Sequence, residues 1–207
     1  IRSSSLALEA LVNDLLDLSR IEADKIDIAH TPFLPRQCIE SVCAFFAPKA
    51  RSSGVMLTFH VHSDVPVSVY GDENRLRQIL TNLVANALKF TERGRVNIEA
   101  RCARGEKGPG PRRSMKLFFT VSDTGAGIPA DKVNLLFRAF SQIDSQSGSR
   151  AQGHGLGLLI SRRLSERMGG AMTLESRVGE GTTVHFSIAV EYDPSHTENP
   201  FAETSAS

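Results

Sequence analysis

The sequence has almost no net charge, because 24 Lys and Arg residues nearly balance 23 Asp and Glu residues. This balance argues against the strong positive field of proteins that bind nucleic acid or anionic membranes, so any recognition has to be local. Long apolar runs are missing as well: the run at 158–160 is typical, whereas crossing a bilayer takes about 18 residues. We therefore expect a soluble, cytoplasmic domain that binds no nucleic acid. The pattern leaves open whether the parent protein carries a membrane anchor elsewhere.

Cysteine is scarce, and its spacing excludes two kinds of site. Cys38, Cys43 and Cys102 form neither a Cys-x-x-Cys motif nor the paired spacing of a metal site. Their odd number favours reduced, buried thiols, as in cytosolic proteins. The chain starts at Ile1 without a signal-peptide pattern, so we expect a piece of a longer protein. Its 207 residues, 41% of them hydrophobic, suffice for one well-buried core.

Hydrophobic periodicity predicts both helices and strands along most of the chain. Helices are expected at 6–21, from about Pro35 to 54, at 72–91 and at 156–168, and strands at 26–33, 55–61, 67–70, 95–102, 115–122, 171–176 and 182–190. Gly, Pro and Arg residues at 103–114 predict an exposed hairpin loop. The connection at 129–155 contains one amphipathic turn at 133–140, and a loop of this length is uncommon unless it is functional, so we expect a lid. The polar residues beyond Tyr192 predict a disordered tail or linker.

Two asparagines mark the helix predicted at 72–91. Its last part reads Asn-Leu-Val-Ala-Asn-Ala-Leu-Lys-Phe-Thr, and helical spacing places Asn82, Asn86 and Lys89 on a polar face, away from the apolar face that packs. An ordinary surface helix would show the same amphipathic pattern. Asn is mildly unfavourable inside a helix, however. Its side-chain oxygen suits Mg²⁺, and the Lys89 ammonium suits phosphate.

Two glycine-rich segments add further parts of a nucleotide site. The first, Asp-Thr-Gly-Ala-Gly-Ile at 123–128, follows a predicted strand. Asp123 could accept a hydrogen bond from an exocyclic amine such as that of adenine, although a simple glycine turn would show the same pattern. The second, Gly-His-Gly-Leu-Gly at 153–157, leads into a helix whose free N–H groups favour phosphate. No strand precedes it closely, so a Rossmann motif fits poorly, and the Walker pattern is absent.

Together these segments resemble the Asn box and the two glycine boxes of the sensor histidine kinases of two-component systems. The likeness extends over about residues 6–190. Phe-Arg-Ala-Phe-Ser-Gln at 137–142 resembles the phenylalanine box and leans slightly towards hybrid kinases, and the glycines at 179 and 181 resemble the closing hairpin. Residues 11–23 resemble the end of the second dimerisation helix. Five ordered motifs are far more specific than any one of them alone.

The resemblance implies the Bergerat fold of the GHKL superfamily, which these kinases share with gyrase, the large heat-shock chaperones and MutL-type repair proteins. In this two-layer α/β sandwich a mixed β-sheet is covered on one face by about three helices. The implied domains are the end of a dimerisation and phosphotransfer helix at 1–24, a catalytic ATP-binding domain at 25–191 with a lid at about 130–155, and a tail or linker at 192–207.

The resemblance also implies ATP and Mg²⁺ as ligands and assigns roles to residues. Asn86 would ligate Mg²⁺, Asn82 and Lys89 would lie near the phosphates, and Asp123 would hold the adenine amino group. The other implied contacts are Gly125, Gly127 and Ile128 at the adenine, Phe140 and Arg150 in the lid, and Gly153, His154, Gly155, Leu156 and Gly157 at the phosphates. His154 stands where the family usually has Thr or Ser. For Phe137 and Phe140, plain core packing is an alternative to any contact with the ligand.

The implied reaction moves the γ-phosphoryl group of ATP to a histidine upstream of the chain, for relay to an aspartate of a response-regulator receiver domain. None of the six histidines lies in the His-Glu-x-x-x-Pro setting of the family's acceptor. The full protein is expected to be a homodimer. Two alternatives stay open: a non-catalytic nucleotide-binding module and a GHKL-type ATPase. Related ATPases have a Glu where this chain has Asn82, and a neutral amide cannot act as a general base, so we expect little hydrolysis.

Overall fold

The computed structural model of the protein describes residues 26–104, 112–133, 135–137 and 155–194, together with residues 12, 15, 16, 19 and 23. The strands are β1 (Thr31–Phe33), β2 (Val55–Val61), β3 (Val69–Gly71), β4 (Gly94–Arg104), β5 (Arg113–Asp123), β6 (Met172–Arg177) and β7 (Gly181–Tyr192), and the helices are α1 (Pro35–Ser52), α2 (Glu73–Phe90), α3 (Ala130–Val133) and α4 (Gly157–Arg167).

In the described part of the chain, seven strands form one mixed sheet. Their order is β1-β3-β7-β5-β4-β2, and β6 also pairs with β7. The pair β2–β4 is parallel, whereas the other pairs are antiparallel. The long pair β5–β7 places Asp123 opposite Thr182 at one end and Arg113 opposite Tyr192 at the other. The carboxyl end of β5 therefore meets the amino end of β7.

Alternation along β5 shows which face of the sheet is buried. Met115, Leu117 and Phe119 are buried, whereas Lys116 and Phe118 between them are exposed. Three helices pack on the buried face: α1 on β2, α2 on β4 and β5, and α4 on β6 and β7. The two-layer sandwich with helices on one face, expected from the sequence, is confirmed.

Helix α2 owes its start to Asp72. One carboxylate oxygen of Asp72 accepts a hydrogen bond from the N–H of Arg75 at 3.0 Å, which caps the helix. The other oxygen accepts from the N–H of Ala29 at 2.9 Å. The strand predicted at 26–33 is therefore too long: only Thr31–Phe33 pairs, since the N–H of Ala29 is held by a side chain rather than by a neighbouring strand.

Helix α1 begins at Pro35, as predicted, and contributes Cys38 to the core. Burial raises the pKa of Cys38 to about 12 and that of Cys43 to about 11. Both thiols are therefore protonated at neutral pH, and all three cysteines are free.

The helix predicted at 6–21 is described at four positions. Val12, Leu15, Leu16 and Ser19 are helical, and the three apolar side chains are exposed. The other residues of that prediction lie outside the described part, as do 105–111 of the hairpin loop, residues 138–154 and the tail from residue 195. Among the described residues, no helix has both the length and the apolar composition needed to span a membrane.

Candidate functional site

The polar face of α2 carries the three residues that the sequence singled out. Asn82 and Asn86 are half-buried and one helical turn apart, and Lys89 is exposed in the last turn. The Asn82 side chain contacts the start of α4: its amide nitrogen donates to the carbonyl oxygen of Gly157 and to Oγ of Ser161, both at 3.4 Å. The polar face of α2, where phosphates are expected to bind, therefore also contacts the second glycine segment.

Lys89 lies where a positive charge is disfavoured. Burial of part of its side chain lowers the pKa of Lys89, and the nearby ammonium of Lys49 lowers it further. Its Nζ lies 4.9 Å from the centroid of the Phe90 ring. An anion at this position would counter both effects, because a negative charge favours the protonated amine.

Asp123 ends β5 with its carboxylate turned into the protein. Its Oδ1 accepts hydrogen bonds from the N–H of Gly125 at 2.8 Å and of Thr182 at 3.3 Å. Burial raises the pKa of Asp123, and these two bonds act in the opposite direction. Both bonds fall on Oδ1, so the geometry leaves Oδ2 to accept from an amine on a ligand.

The first glycine segment is held between α2 and the β6–β7 hairpin. The N–H of Ala126 donates to the carbonyl of Phe90, the last residue of α2, and the carbonyl of Ala126 accepts from the N–H of Gly179. Gly127 has φ of 68°, and a Cβ there would lie 1.9 Å from the carbonyl oxygen of Arg177. Glycine is required at this position by both conformation and space.

Two hydroxyl groups that sequence reasoning missed fix the end of this segment. Oγ of Ser176 accepts from the N–H of Ile128 at 2.9 Å and donates to the carbonyl of Gly181 at 2.9 Å. Oγ1 of Thr182 lies 2.9 Å from the same Ser176 oxygen. A serine near the end of an alternating strand gives no signal of such a role, and only the neighbouring glycines at 179 and 181 pointed to this hairpin.

The second glycine segment is described from Gly155 onwards. Gly155 has φ of 68°, Leu156 is fully buried, and α4 starts at Gly157 without a side-chain hydrogen bond from its N-cap residue Leu156. The N–H groups of the first turn are thus not capped by that side chain. Phe140, Arg150, Gly153 and His154 lie outside the described residues.

Phe137 is the described member of the phenylalanine box. Its ring is partly buried against the hydrophobic core. The guanidinium of Arg162, on α4, lies 4.9 Å from the ring centroid. These contacts connect the expected lid to the same helix that begins at the second glycine segment.

A cavity of about 590 Å³ lies beside Asp123. Its walls come from α3, through Ala130 and Val133, and from the β6–β7 hairpin. None of its described lining residues comes from α2 or α4. Helix α2 contacts the first glycine segment through Phe90 and the second through Asn82. These two contacts bring all three predicted segments together around one region.

Comparison with known proteins agrees with this geometry. Residues 71–192 match the family described as histidine kinase-, DNA gyrase B- and HSP90-like ATPases. The chain is 38% identical over 194 residues to the signal transduction histidine-protein kinase BarA of Escherichia coli K12, covering 94% of this chain and 21% of BarA. It is 40% identical over 188 residues to the sensor histidine kinase GacS of Pseudomonas protegens, covering 91% of this chain and 20% of GacS.

Among solved structures, full-length ShkA in complex with AMPPNP superimposes with a TM-score of 0.75 at 34% identity, covering 90% of this chain and 36% of ShkA. The chain spans about a fifth of the length of the curated relatives it matches. The matched residues include the whole of α2, the Asp123 loop and α4. The chain therefore belongs to the histidine kinase-, DNA gyrase B- and HSP90-like ATPase family, as an ATP-binding catalytic domain of the sensor histidine kinase type.

Proposed function

We propose that the domain binds Mg·ATP and donates the γ-phosphoryl group to a histidine in an upstream domain of the same protein. The observation that carries the proposal is the meeting of α2, the Asp123 loop and the start of α4 around one region. Asp123 would accept a hydrogen bond from the adenine amine, and Lys89 and the first N–H groups of α4 would hold the phosphates. The 3.4 Å contacts of Asn82 support a shared site, since they keep α2 and α4 together.

The donor set of the site fits magnesium that shares its shell with phosphate. Asn86 offers one neutral oxygen, and no cluster of three His, Cys, Asp or Glu residues able to hold a metal occurs among the described residues. Mg²⁺ commonly keeps waters and substrate phosphates as ligands rather than a full protein cage. When bound, the ion would neutralise charge on the phosphate oxygens. Asn86 would orient it from the polar face of α2.

The proposed domain boundaries follow the exposed and buried parts of the chain. Residues 1–24 are proposed as the end of a dimerisation helix, which the exposed helical side chains of Val12, Leu15 and Leu16 support, because such side chains suit a helical partner. Residues 25–191 form the proposed catalytic domain with a lid at about 130–155, and Tyr192 joins it because this buried residue ends β7. Residues 193–207 form the proposed tail or linker. The full protein would be a homodimer that passes the phosphoryl group to a receiver domain, with this domain in the cytoplasm.

Calorimetric titration of the chain with ATP, with and without Mg²⁺, tests the proposal. We expect Asn86→Ala to weaken Mg·ATP binding about 10- to 100-fold, while ATP binding without the metal changes less. Asn97→Ala is the matched control: this asparagine lies on β4, accepts from Oγ1 of Thr58 at 2.9 Å, and is outside the site. A wild-type chain that fails to bind nucleotide at millimolar concentration would overturn the proposal.

A further inference from the structure

We infer that Asn82 is a positioning residue: its side-chain amide fixes the first turn of α4 against α2 and so sets where the phosphates meet the α4 N–H groups. The inference rests on the proposed function. It assigns Asn82 a protein partner rather than direct contact with the ligand. The carrying observation is a pair of hydrogen bonds, from Nδ2 of Asn82 to the carbonyl of Gly157 and to Oγ of Ser161.

The orientation of the Asn82 amide follows from its partners. A carbonyl oxygen only accepts hydrogen bonds, so the NH₂ group of Asn82 has to face Gly157. Gly157 is the first residue of α4, and Ser161 follows it by one turn with no exposed surface. The Asn82 amide therefore hydrogen-bonds to residues at both ends of the first turn of α4.

Gly157 lies directly against the side chain of Asn82. A Cβ at Gly157 would lie 3.5 Å from Cγ of Asn82, which is ordinary van der Waals contact. Helices α2 and α4 therefore approach one another at this point, with Asn86 one turn further along the same face of α2. A shift of α4 relative to α2 would move its N–H groups relative to Asn86, and phosphate binding needs both sets of groups at once.

The hydroxyl partner allows a test that leaves Asn82 itself in place. Ser161→Ala removes one acceptor of the Asn82 amide without changing any group that would face the ligand. Ser165→Ala is the matched control, since Ser165 is also fully buried in α4 but donates to the carbonyl of Ser187 at 2.9 Å, away from α2. The affinities of Asn82→Ala, Ser161→Ala, the double variant and Ser165→Ala are measured for Mg·ATP and for adenosine, together with thermal unfolding.

We expect Asn82→Ala and Ser161→Ala each to weaken Mg·ATP binding about three- to tenfold. The double variant should bind Mg·ATP as well as the single variant that has the lower affinity, because both changes remove the same interaction. Adenosine affinity should stay unchanged in all four proteins, because adenosine lacks the phosphates. Ser165→Ala should lower the unfolding temperature without changing either affinity.

Three results would overturn the inference: Ser161→Ala binding Mg·ATP like the wild type, losses that multiply in the double variant, or equal losses for ATP and adenosine. The first two would point to direct contact between Asn82 and the ligand, and the third to general disruption of the fold. None of them touches the proposed function, because all three compare variants, whereas the proposed function is tested on the wild-type chain.

Discussion

At the scale of a single residue, the Asp123 carboxylate is suited to accept a hydrogen bond from a ligand, but its burial costs stability when no ligand is bound. Its pKa is raised by burial, so the folded protein holds the proton more tightly than the unfolded chain does. The stability that this difference contributes is fully present below the ordinary carboxyl pKa and is lost as pH rises through the raised value. Above the raised pKa, the ionised carboxylate of Asp123 therefore lowers the stability of the ligand-free domain.

Asp123→Asn should consequently stabilise the ligand-free domain near pH 7 and remove this part of the pH dependence. The same change should weaken ATP binding about tenfold or more, because an amide cannot offer the charge-assisted acceptor. Urea unfolding across the acidic range, paired with titration by ATP, measures both effects. Asp64→Asn is the control, since Asp64 also accepts a backbone N–H, from Cys102, but is exposed and lies outside the site. Lower stability of Asp123→Asn at pH 7 would contradict the argument.

At the scale of elements, the β6–β7 hairpin supports the Asp123 loop through Gly127. The Gly127 backbone passes so close to Arg177 that any side chain would collide with the hairpin backbone. The glycine at the hairpin turn itself, Gly179, also has positive φ, but a Cβ there would meet nothing within 4 Å. Gly127 is therefore required for space as well as for its backbone conformation, whereas Gly179 is required for its conformation alone.

Gly127→Ala should lower the free energy of unfolding by about 2–5 kcal/mol, which combines left-handed strain with overpacking. It should also weaken ATP binding, because the loop that follows Asp123 has to move. Gly179→Ala should cost only about 1–2 kcal/mol of strain and leave ATP affinity unchanged. Urea unfolding and ATP titration of both variants provide the comparison. Equal effects of the two substitutions on affinity would rule out the close contact as the cause.

The elements differ in how far their sequence alone could predict them. Helix α2 and strand β5 were predicted to within about two residues, because Asp72 is a cap and β5 alternates strictly. The hydroxyls of Ser161 and Ser176 could not be assigned, since their partners lie 79 and 48 residues away in sequence. Roles that depend on such distant partners leave no periodic pattern. The lid contacts at Phe140, Arg150 and His154 stay predictions.

At the scale of the whole molecule, the chain is proposed to hold a phosphoryl donor without its acceptor. The proposed site offers no carboxylate on α2 to activate water: the position one turn before Asn86 is Asn82, whose amide already donates to α4. A neutral amide cannot take a proton from water at pH 7. Binding of ATP and its turnover are therefore expected to be separate properties of this domain.

We expect the chain alone to bind ATP and to hydrolyse it no faster than background. Phosphoryl transfer should appear only when a separate protein carrying the upstream acceptor histidine is added. Release of labelled phosphate and labelling of the added protein, followed side by side, check this expectation. Asn86→Ala should abolish the labelling. Steady hydrolysis by the wild-type chain that disappears in Asn86→Ala would instead indicate a gyrase-type ATPase.

Strand β7 has a consequence for how such a donor could reach its acceptor. At its start, Thr182 bonds Asp123, and near its end Glu191 lies opposite Tyr70 and 3.1 Å from His30, in the segment that enters the domain. Its 12 residues span about 35–40 Å. Because β7 is hydrogen-bonded to neighbours along both edges, it keeps a constant distance between the proposed nucleotide site at Asp123 and the entering segment at His30. We therefore expect reach towards the proposed acceptor to require movement of the domain as a whole rather than stretching within the sheet.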